Sequence, residues 1–292
     1  MTLTLASNGA LAELASAAPA LGAAEFAAVA AIMQSDARIH LTEVKRTLVH
    51  SRLSRRLREH GCATFRDYLQ LVQTDAAERA AMVVALTTNH THFFRENHHF
   101  DHFRKVVLPE LQARARGGSA RIWSAGCSSG EEVYTIALCL LGQDRAAASW
   151  LKDADVRLLA TDLAPHVVAS ASRGVYSAST VEPIPARYRE TWLRPSGADF
   201  EMAPEARALV TARVLNLFDR WPMTRRYDVI FCRNVMIYFD EDAKAELEAR
   251  FVQLLARGGY LYIGHSERLI GPAVTELRSW GRRIDRKHGG QG

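Results

Sequence analysis

The chain is poor in cysteine, and the few it has show no paired spacing. Cys62, Cys127, Cys139 and Cys232 are scattered singly over 292 residues. That argues against a disulfide or zinc framework and for free thiols in a reducing cytoplasm. Long hydrophobic runs are also missing: no apolar stretch approaches the ~18 residues of a membrane span. The Ala-rich start, Leu11 to Met33, is broken by Glu13, Pro19, Gly22 and Glu25. It lacks a basic segment followed by a continuous apolar one, so no signal peptide is read. No internal repeat occurs. An excess of one sign of charge is nearly absent as well, since Lys and Arg number 37 against 32 Asp and Glu, a net +5. A uniform nucleic-acid-binding coat is therefore not expected.

What excess there is sits in one place. Arg38 to Arg58 holds Arg38, Lys45, Arg46, Arg52, Arg55, Arg56 and Arg58 against the single acid Glu43, which leaves the rest of the chain near neutral. Lys45, Arg52 and Arg56 fall within about 40° of one another on a helix at 100° per residue. Val44, Leu48, Leu53 and Leu57 offer apolar surface elsewhere. Local basicity of this kind reads as a docking surface.

The pattern then divides the chain. Residues 1–22 are rich in Ala, Gly and Ser and are expected to be poorly ordered. From 23 to 86 the periodicity is helical throughout. Thr42 is expected to cap a helix that ends at Gly61, and Thr64 and Asp75 to open two more. After Asn89 apolar runs alternate with helical patterns: Arg121–Cys127, helix Glu131–Leu141, Val156–Thr161, a helix from Pro165, then Arg213–Leu217, Tyr227–Cys232, a helix over Asp242–Leu255, and Tyr260–Gly264. Alternation of this sort predicts an α/β domain with a parallel sheet. Residues 177–210 hold Pro183, Pro185, Pro195, Gly197 and Pro204 and read as a small insertion.

In an open α/β sheet, ligands bind beyond the carboxyl ends of the strands. The first strand here runs into Ser124-Ala125-Gly126-Cys127-Ser128-Ser129-Gly130-Glu131-Glu132. Glycines let the backbone come close to a ligand. The two glutamates would repel a pyrophosphate and suit a cationic or amine-bearing ligand, which favours S-adenosylmethionine over NAD. Asp162 ends the second strand, where an acid accepts hydrogen bonds from ribose hydroxyls. The histidines His90, His92, His98, His99 and His102 invite a metal reading, but His98 is not followed by Glu in the zinc-protease order, so no metal is expected.

Three further segments complete a pattern. They are Thr87-Thr88-Asn89-His90-Thr91-His92-Phe93-Phe94-Arg95-Glu96, then Phe231-Cys232-Arg233-Asn234-Val235-Met236-Ile237-Tyr238-Phe239, and Gly264-His265-Ser266-Glu267. With the Gly126–Gly130 loop, the chain resembles the CheR family of chemotaxis receptor methyltransferases from about Ala23 to Asp285. The resemblance implies a small all-helical domain (23–86), a linker that reaches the cofactor (87–98), and a Rossmann-like methyltransferase domain (99–292) carrying a small β-subdomain. It implies methyl transfer from S-adenosylmethionine to glutamates on the cytoplasmic helical bundle of chemoreceptors, leaving S-adenosylhomocysteine. By motif it carries cofactor contacts over to Asn89, Thr91, Arg95, Glu132, Asp162, Asn216, Leu217, Asn234 and Val235. It puts Arg95 and Tyr238 nearest the transferred methyl, and makes Lys45, Arg46, Arg52, Arg55 and Arg56 the receptor-docking face. On that reading, neutralising Arg52 and Arg56 together weakens methylation and spares cofactor binding.

A cytoplasmic monomer recruited to receptor arrays is expected, with no membrane insertion. Some family members use a Gly-rich loop in the β-subdomain to hold a tethering pentapeptide at the receptor's C-terminus. Arg194 to Met202 here has one glycine, Gly197, so a tether-independent member is expected. A nucleic-acid methyltransferase is disfavoured, because the Asn/Asp-Pro-Pro-aromatic tetrapeptide of amino-methylating enzymes is replaced by Arg233-Asn234-Val235-Met236.

Overall fold

A computed structural model describes residues 19–289. The expected disorder over 1–18 lies outside the described residues. Of the four remaining residues of that stretch, Leu21 is buried and Pro19 accepts a hydrogen bond from the His50 ring at 3.0 Å. The chain forms two compact units, one of residues up to Asp36 with His40–Thr87, the other of Ala37–Ile39 with Thr88 onward.

The first unit is helical. It holds α1 (Ala23–Ala37), a 3-10 turn (Glu43–Lys45), α2 (Arg46–Glu59), α3 (Phe65–Thr74) and α4 (Ala76–Leu86). Thr42 precedes the 3-10 turn but makes no side-chain cap. The α-helix therefore starts later than expected, and Lys45 lies before it instead of on its stripe. Gly61 ends the segment at a φ of +65°, where a side chain would be strained. Thr64 and Asp67 form a reciprocal capping box on α3, and the Asp75 carboxylate accepts from Ala77 and Glu78 at the start of α4. Val29, Met33, Val49, Leu53, Phe65, Tyr68, Val72 and Met82 fill the core.

The second unit contains a seven-stranded sheet. Its strands are β1 (Ser119–Ala125), β2 (Asp155–Asp162), β6 (Val210–Val214), β7 (Tyr227–Cys232), β8 (Leu255–Ile263), β9 (Leu277–Gly281) and β10 (Ile284–Lys287). The order is β6-β2-β1-β7-β8-β10-β9; the first five strands run parallel, and β10 runs antiparallel to both its neighbours, β8 and β9. The order reverses between β1 and β7, which opens a crevice at their carboxyl ends. Before β1 come α5 (His98–His102), a π-helical turn (Phe103–Val107) and α6 (Leu108–Ala115); α7 (Glu131–Leu141) follows β1 and α8 (Pro165–Arg173) follows β2. β7 has all six residues buried, as a strand covered on both faces must.

A separate antiparallel sheet, β3 (Val175–Ser177), β5 (Asp199–Met202) and β4 (Leu193–Ser196), forms the insertion. It also holds the short helices α9 (Ala178–Val181) and α10 (Ala186–Trp192); α11 (Pro204–Leu209) leads back to β6. Two sequence expectations shift here. The strand expected at Arg213–Leu217 lies at Val210–Val214: the Leu215 amide makes the last rung, to the Asp162 carbonyl at 2.9 Å, and the pairing stops where β2 itself ends. The insertion accordingly ends before Val210. The last helix, α12 (Glu241–Leu254), is capped by Asp240, whose side chain accepts from Ala243.

Candidate functional site

The loop after β1 is held by its own backbone. The amides of Gly126 and Cys127 both donate to the Thr161 carbonyl at 2.8 Å. Gly126, Ser128 and Gly130 take positive φ of +78°, +50° and +100°. A Cβ on Gly126 would stand 2.4 Å from a Val235 methyl, so the loop and the turn after β7 touch through the missing side chain. Gly130 then begins α7. Tyr176 in β3 donates its hydroxyl to the Ser129 carbonyl at 2.9 Å, tying the insertion to this loop.

Asp162 ends β2 and is buried. One carboxylate oxygen accepts the Ser128 amide at 2.9 Å and the other the Ala164 amide at 3.0 Å. Burial pushes its pKa up, and these amides oppose the shift. Ser128 also reaches across to the Asn89 carbonyl at 2.8 Å, so the 89–96 segment is pinned to the loop.

The centre of the arrangement is Arg233, with only 2% of its side chain exposed. Its guanidinium donates to Glu132 at 2.9 Å and to the Arg95 carbonyl at 2.5 Å, and stands 3.4 Å from Glu96. Glu132 also accepts the Ser124 hydroxyl at 2.7 Å. Glu96 accepts from the Asn234 side chain at 3.3 Å and from the His265 amide at 3.1 Å, and pairs with the His265 ring at 2.9 Å. Burial would raise the Glu96 carboxyl, but the His265 hydrogen bonds and the Arg233 charge outweigh it and hold it at about 2. Glu96, His98 and His99 bring ligand atoms within 4.8 Å of one another. The Arg233 cation already sits at that carboxylate, which makes the cluster a poor host for a metal.

Asn234 takes a φ of +60°, a conformation asparagine tolerates better than most residues. It is fixed by Glu267, a buried acid that accepts the amides of Gly264 (2.5 Å), Asn234 (2.9 Å) and Ile237 (3.2 Å). Gly264 must be glycine, since a Cβ there would lie 2.5 Å from the Asn234 side-chain nitrogen.

The structure thus brings Asn89, Glu132, Asp162, Asn234 and Val235 together around one loop at the crevice. Thr91 is half-buried in the pinned segment. Arg95 turns its guanidinium to the His90 carbonyl at 2.9 Å, and no ion pair to Glu96 or Asp101 forms among the described residues. Asn216 and Leu217 follow β6; the Asn216 side chain accepts the Phe218 amide at 3.0 Å and Leu217 is buried. Tyr238 closes the 3-10 turn Met236–Tyr238, half-buried. The Cys127 thiol is raised well above its ordinary range by burial and then by Asp162, so it is no ready nucleophile.

The basic face divides. Arg52 donates to the Leu86 and Thr87 carbonyls at 2.9 and 2.6 Å and holds the end of α4. Arg56 pairs with Glu78, which is 3% exposed and also accepts the Tyr68 hydroxyl at 2.6 Å. Arg46 pairs with Glu43. Lys45 and Arg55 are exposed, Arg55 paired with Glu59 at 2.8 Å on the surface, and Val44 is 89% exposed. Leu53 and Leu57, expected as apolar surface, are core; Leu48 is partly exposed. Neutralising Arg52 and Arg56 therefore disturbs the helical unit itself, which corrects the simple use of that double variant as a docking test.

Sequence reasoning gave Arg233, Glu96 and Glu267 no role, although all three lie in the segments that carried the resemblance. A charged residue directly after the apolar run Val229–Cys232 was the signal for Arg233.

A loop lined by Glu132 and Asp162 fits a ligand bearing an ammonium and ribose hydroxyls. Comparison with known proteins agrees. Residues 24–87 match the family model described as CheR methyltransferase, all-alpha domain, and residues 89–280 the model CheR methyltransferase, SAM binding domain. A probable chemotaxis protein methyltransferase of Rhizobium etli is 46% identical over 249 residues, 83% of this chain and 91% of that protein. Chemotaxis protein methyltransferase 2 of Pseudomonas aeruginosa is 40% identical over 84% of this chain and 86% of its own length. The Escherichia coli chemotaxis protein methyltransferase is 36% identical over 85% of each. The chain belongs to the CheR methyltransferase family, and its cofactor is S-adenosylmethionine.

Proposed function

We propose that the protein methylates glutamate side chains on the cytoplasmic helical bundle of chemoreceptors, forming glutamate methyl esters. The observation that carries this reading is the acid-lined glycine loop joined through Arg233 to the Arg95 and Asn234 segments, in a chain whose relatives are chemotaxis protein methyltransferases. S-adenosylmethionine supplies an already activated methyl group. A glutamate acceptor is ionised near neutral pH, so no base has to deprotonate it. What remains for the protein is positioning in a site closed to water.

Asn89, Thr91, Glu132, Asp162, Asn216, Leu217, Asn234 and Val235 hold the cofactor in this reading. Glu132 faces the amino-acid end and Asp162 the ribose; Asn216 and Leu217 flank the adenine. Arg95 and Tyr238 stand nearest the acceptor. Arg95 is able to release the His90 carbonyl and turn its planar fork to a carboxylate. Too close a pairing would quench the nucleophile, so its role is orientation.

The receptor meets the helical unit through the exposed Lys45 and Arg55, with Val44 beside them. The β4–β5 hairpin turns through only Gly197 and Ala198, Gly197 at a φ of +63°, which supports independence from a receptor tether. A cytoplasmic monomer working at receptor arrays is the matching cellular setting. Incubation with methyl-labelled cofactor and a receptor cytoplasmic fragment tests the reading. Base-labile label should enter the fragment and disappear when its acceptor glutamates are changed to Ala. Label that persists in the Ala variant contradicts the proposal.

A further inference from the structure

Glu96 holds His265 in a way the cofactor reading does not require. Its carboxylate accepts the His265 amide at 3.1 Å and meets the ring Nδ1 at 2.9 Å, while 68% of the His265 side chain stays exposed. An ionised carboxylate only accepts hydrogen bonds, so Nδ1 must carry the proton. The free nitrogen, Nε2, is on the other side of the ring. The same Glu96 oxygen that meets Nδ1 also accepts the Asn234 side chain. His265 is therefore fixed beside the cofactor-facing turn, one residue past Gly264 at the carboxyl end of β8. Ligands in an α/β sheet approach from this edge. A carboxylate–histidine pair with one buried and one exposed partner is how proteins aim an imidazole outward.

We propose that His265 is a positioning residue for the acceptor: its Nε2–H, in the imidazolium form, receives the glutamate carboxylate of the substrate as it enters the crevice. This rests on the methyltransferase reading above. A cation at the reacting oxygen would stabilise the ionised acceptor more than the transition state, in which that charge is being lost. At the rim it assists arrival without that cost, so the contact acts on acceptor binding. The groups that bear on His265 are Glu96 from the linker, Arg283 from the β9–β10 turn, which donates to the His265 carbonyl at 3.2 Å, and, through Glu96, Arg233 and His99. Glu267 faces the amides beneath and not the ring.

Two substitutions separate the ring's two nitrogens. His265→Asn keeps a donor near Nδ1 for Glu96 and deletes Nε2. His265→Gln places a permanent donor near Nε2. Steady-state methylation of a receptor fragment should show KM for the fragment raised about tenfold in His265→Asn, the size of one lost charge-assisted hydrogen bond. Its kcat should stay within about twofold. His265→Gln, which keeps a donor near Nε2, should hold KM within about twofold of wild type. Product binding by calorimetry should be the same in all three proteins. If His265→Asn keeps the wild-type KM, if His265→Gln loses as much as His265→Asn, or if kcat falls instead, the proposal is wrong. If wild-type protein binds product but methylates no fragment, the methyltransferase-substrate reading fails and this proposal falls with it.

Discussion

Arg233 illustrates how much one buried charge organises. Its guanidinium separates Glu132 from Glu96 and holds the Arg95 carbonyl, while Phe100 lies beneath it at 5.4 Å from the ring centre. Without it, two carboxylates would share a space closed to water. Arg233→Met should therefore cost about 3–5 kcal/mol, the range for breaking a buried ion pair, read by urea denaturation. Product binding should be lost in calorimetry. Arg233→Lys should recover only part of either, because a single ammonium cannot meet two carboxylates and a carbonyl in one plane. A milder change tests the loop. Gly126→Ala puts a Cβ against Val235 at a φ of +78°. It should weaken product binding in calorimetry while the circular dichroism of the fold stays unchanged. At this scale the sequence was informative about which segments matter and poor on how they connect. Gly126, Asp162 and Asn234 announced themselves by position at strand ends. The pairing of Arg233 with Glu132, 101 residues apart, is a tertiary fact that no local pattern contains.

Strands and helices with strong apolar runs were legible: Tyr227–Cys232 and Glu131–Leu141 lie where the pattern put them. The antiparallel pair β9–β10 went unread because Arg278, Arg282, Arg283, Asp285 and Arg286 break its alternation. One of those charges has a measurable consequence. Asp285 is partly buried on β10, and burial raises its carboxyl from 3.8 to about 6, against the pull of Arg283. An acid whose folded pKa is raised costs nothing below its unfolded value, and the cost grows as pH rises through the folded one. Asp285→Asn should stabilise the fold by about 1–2 kcal/mol at pH 7, solvent around the partly exposed carboxyl reducing the full effect, and by little near pH 3.5, measured as urea midpoints at both pH values. In the helical unit the basic stripe was legible as charge but not as use. Arg56 answers the buried Glu78, whose carboxyl would be raised by burial but is held low by that arginine and by Tyr68. Arg56→Met should lower stability by about 3 kcal/mol in thermal denaturation, through the stranded Glu78.

For the molecule as a whole, the net charge of +5 now has a location and a division of labour. Part of the basic segment builds the helical unit, through Arg52 and Arg56. Part of it, Lys45 and Arg55, faces solvent. Exchanging those two for Gln should raise KM for a receptor fragment several-fold, about 1 kcal/mol for two exposed charges, and the effect should fade as salt is added. Product binding should not change. The chemistry itself is tested elsewhere. After reaction of the protein with S-adenosylmethionine and a receptor cytoplasmic fragment, peptide mass spectrometry assigns each added methyl group to a residue. The account predicts methyl groups on glutamate side chains of the fragment, removed by mild alkali. Methylation confined to lysine, to a nucleic acid or to the enzyme itself would contradict it.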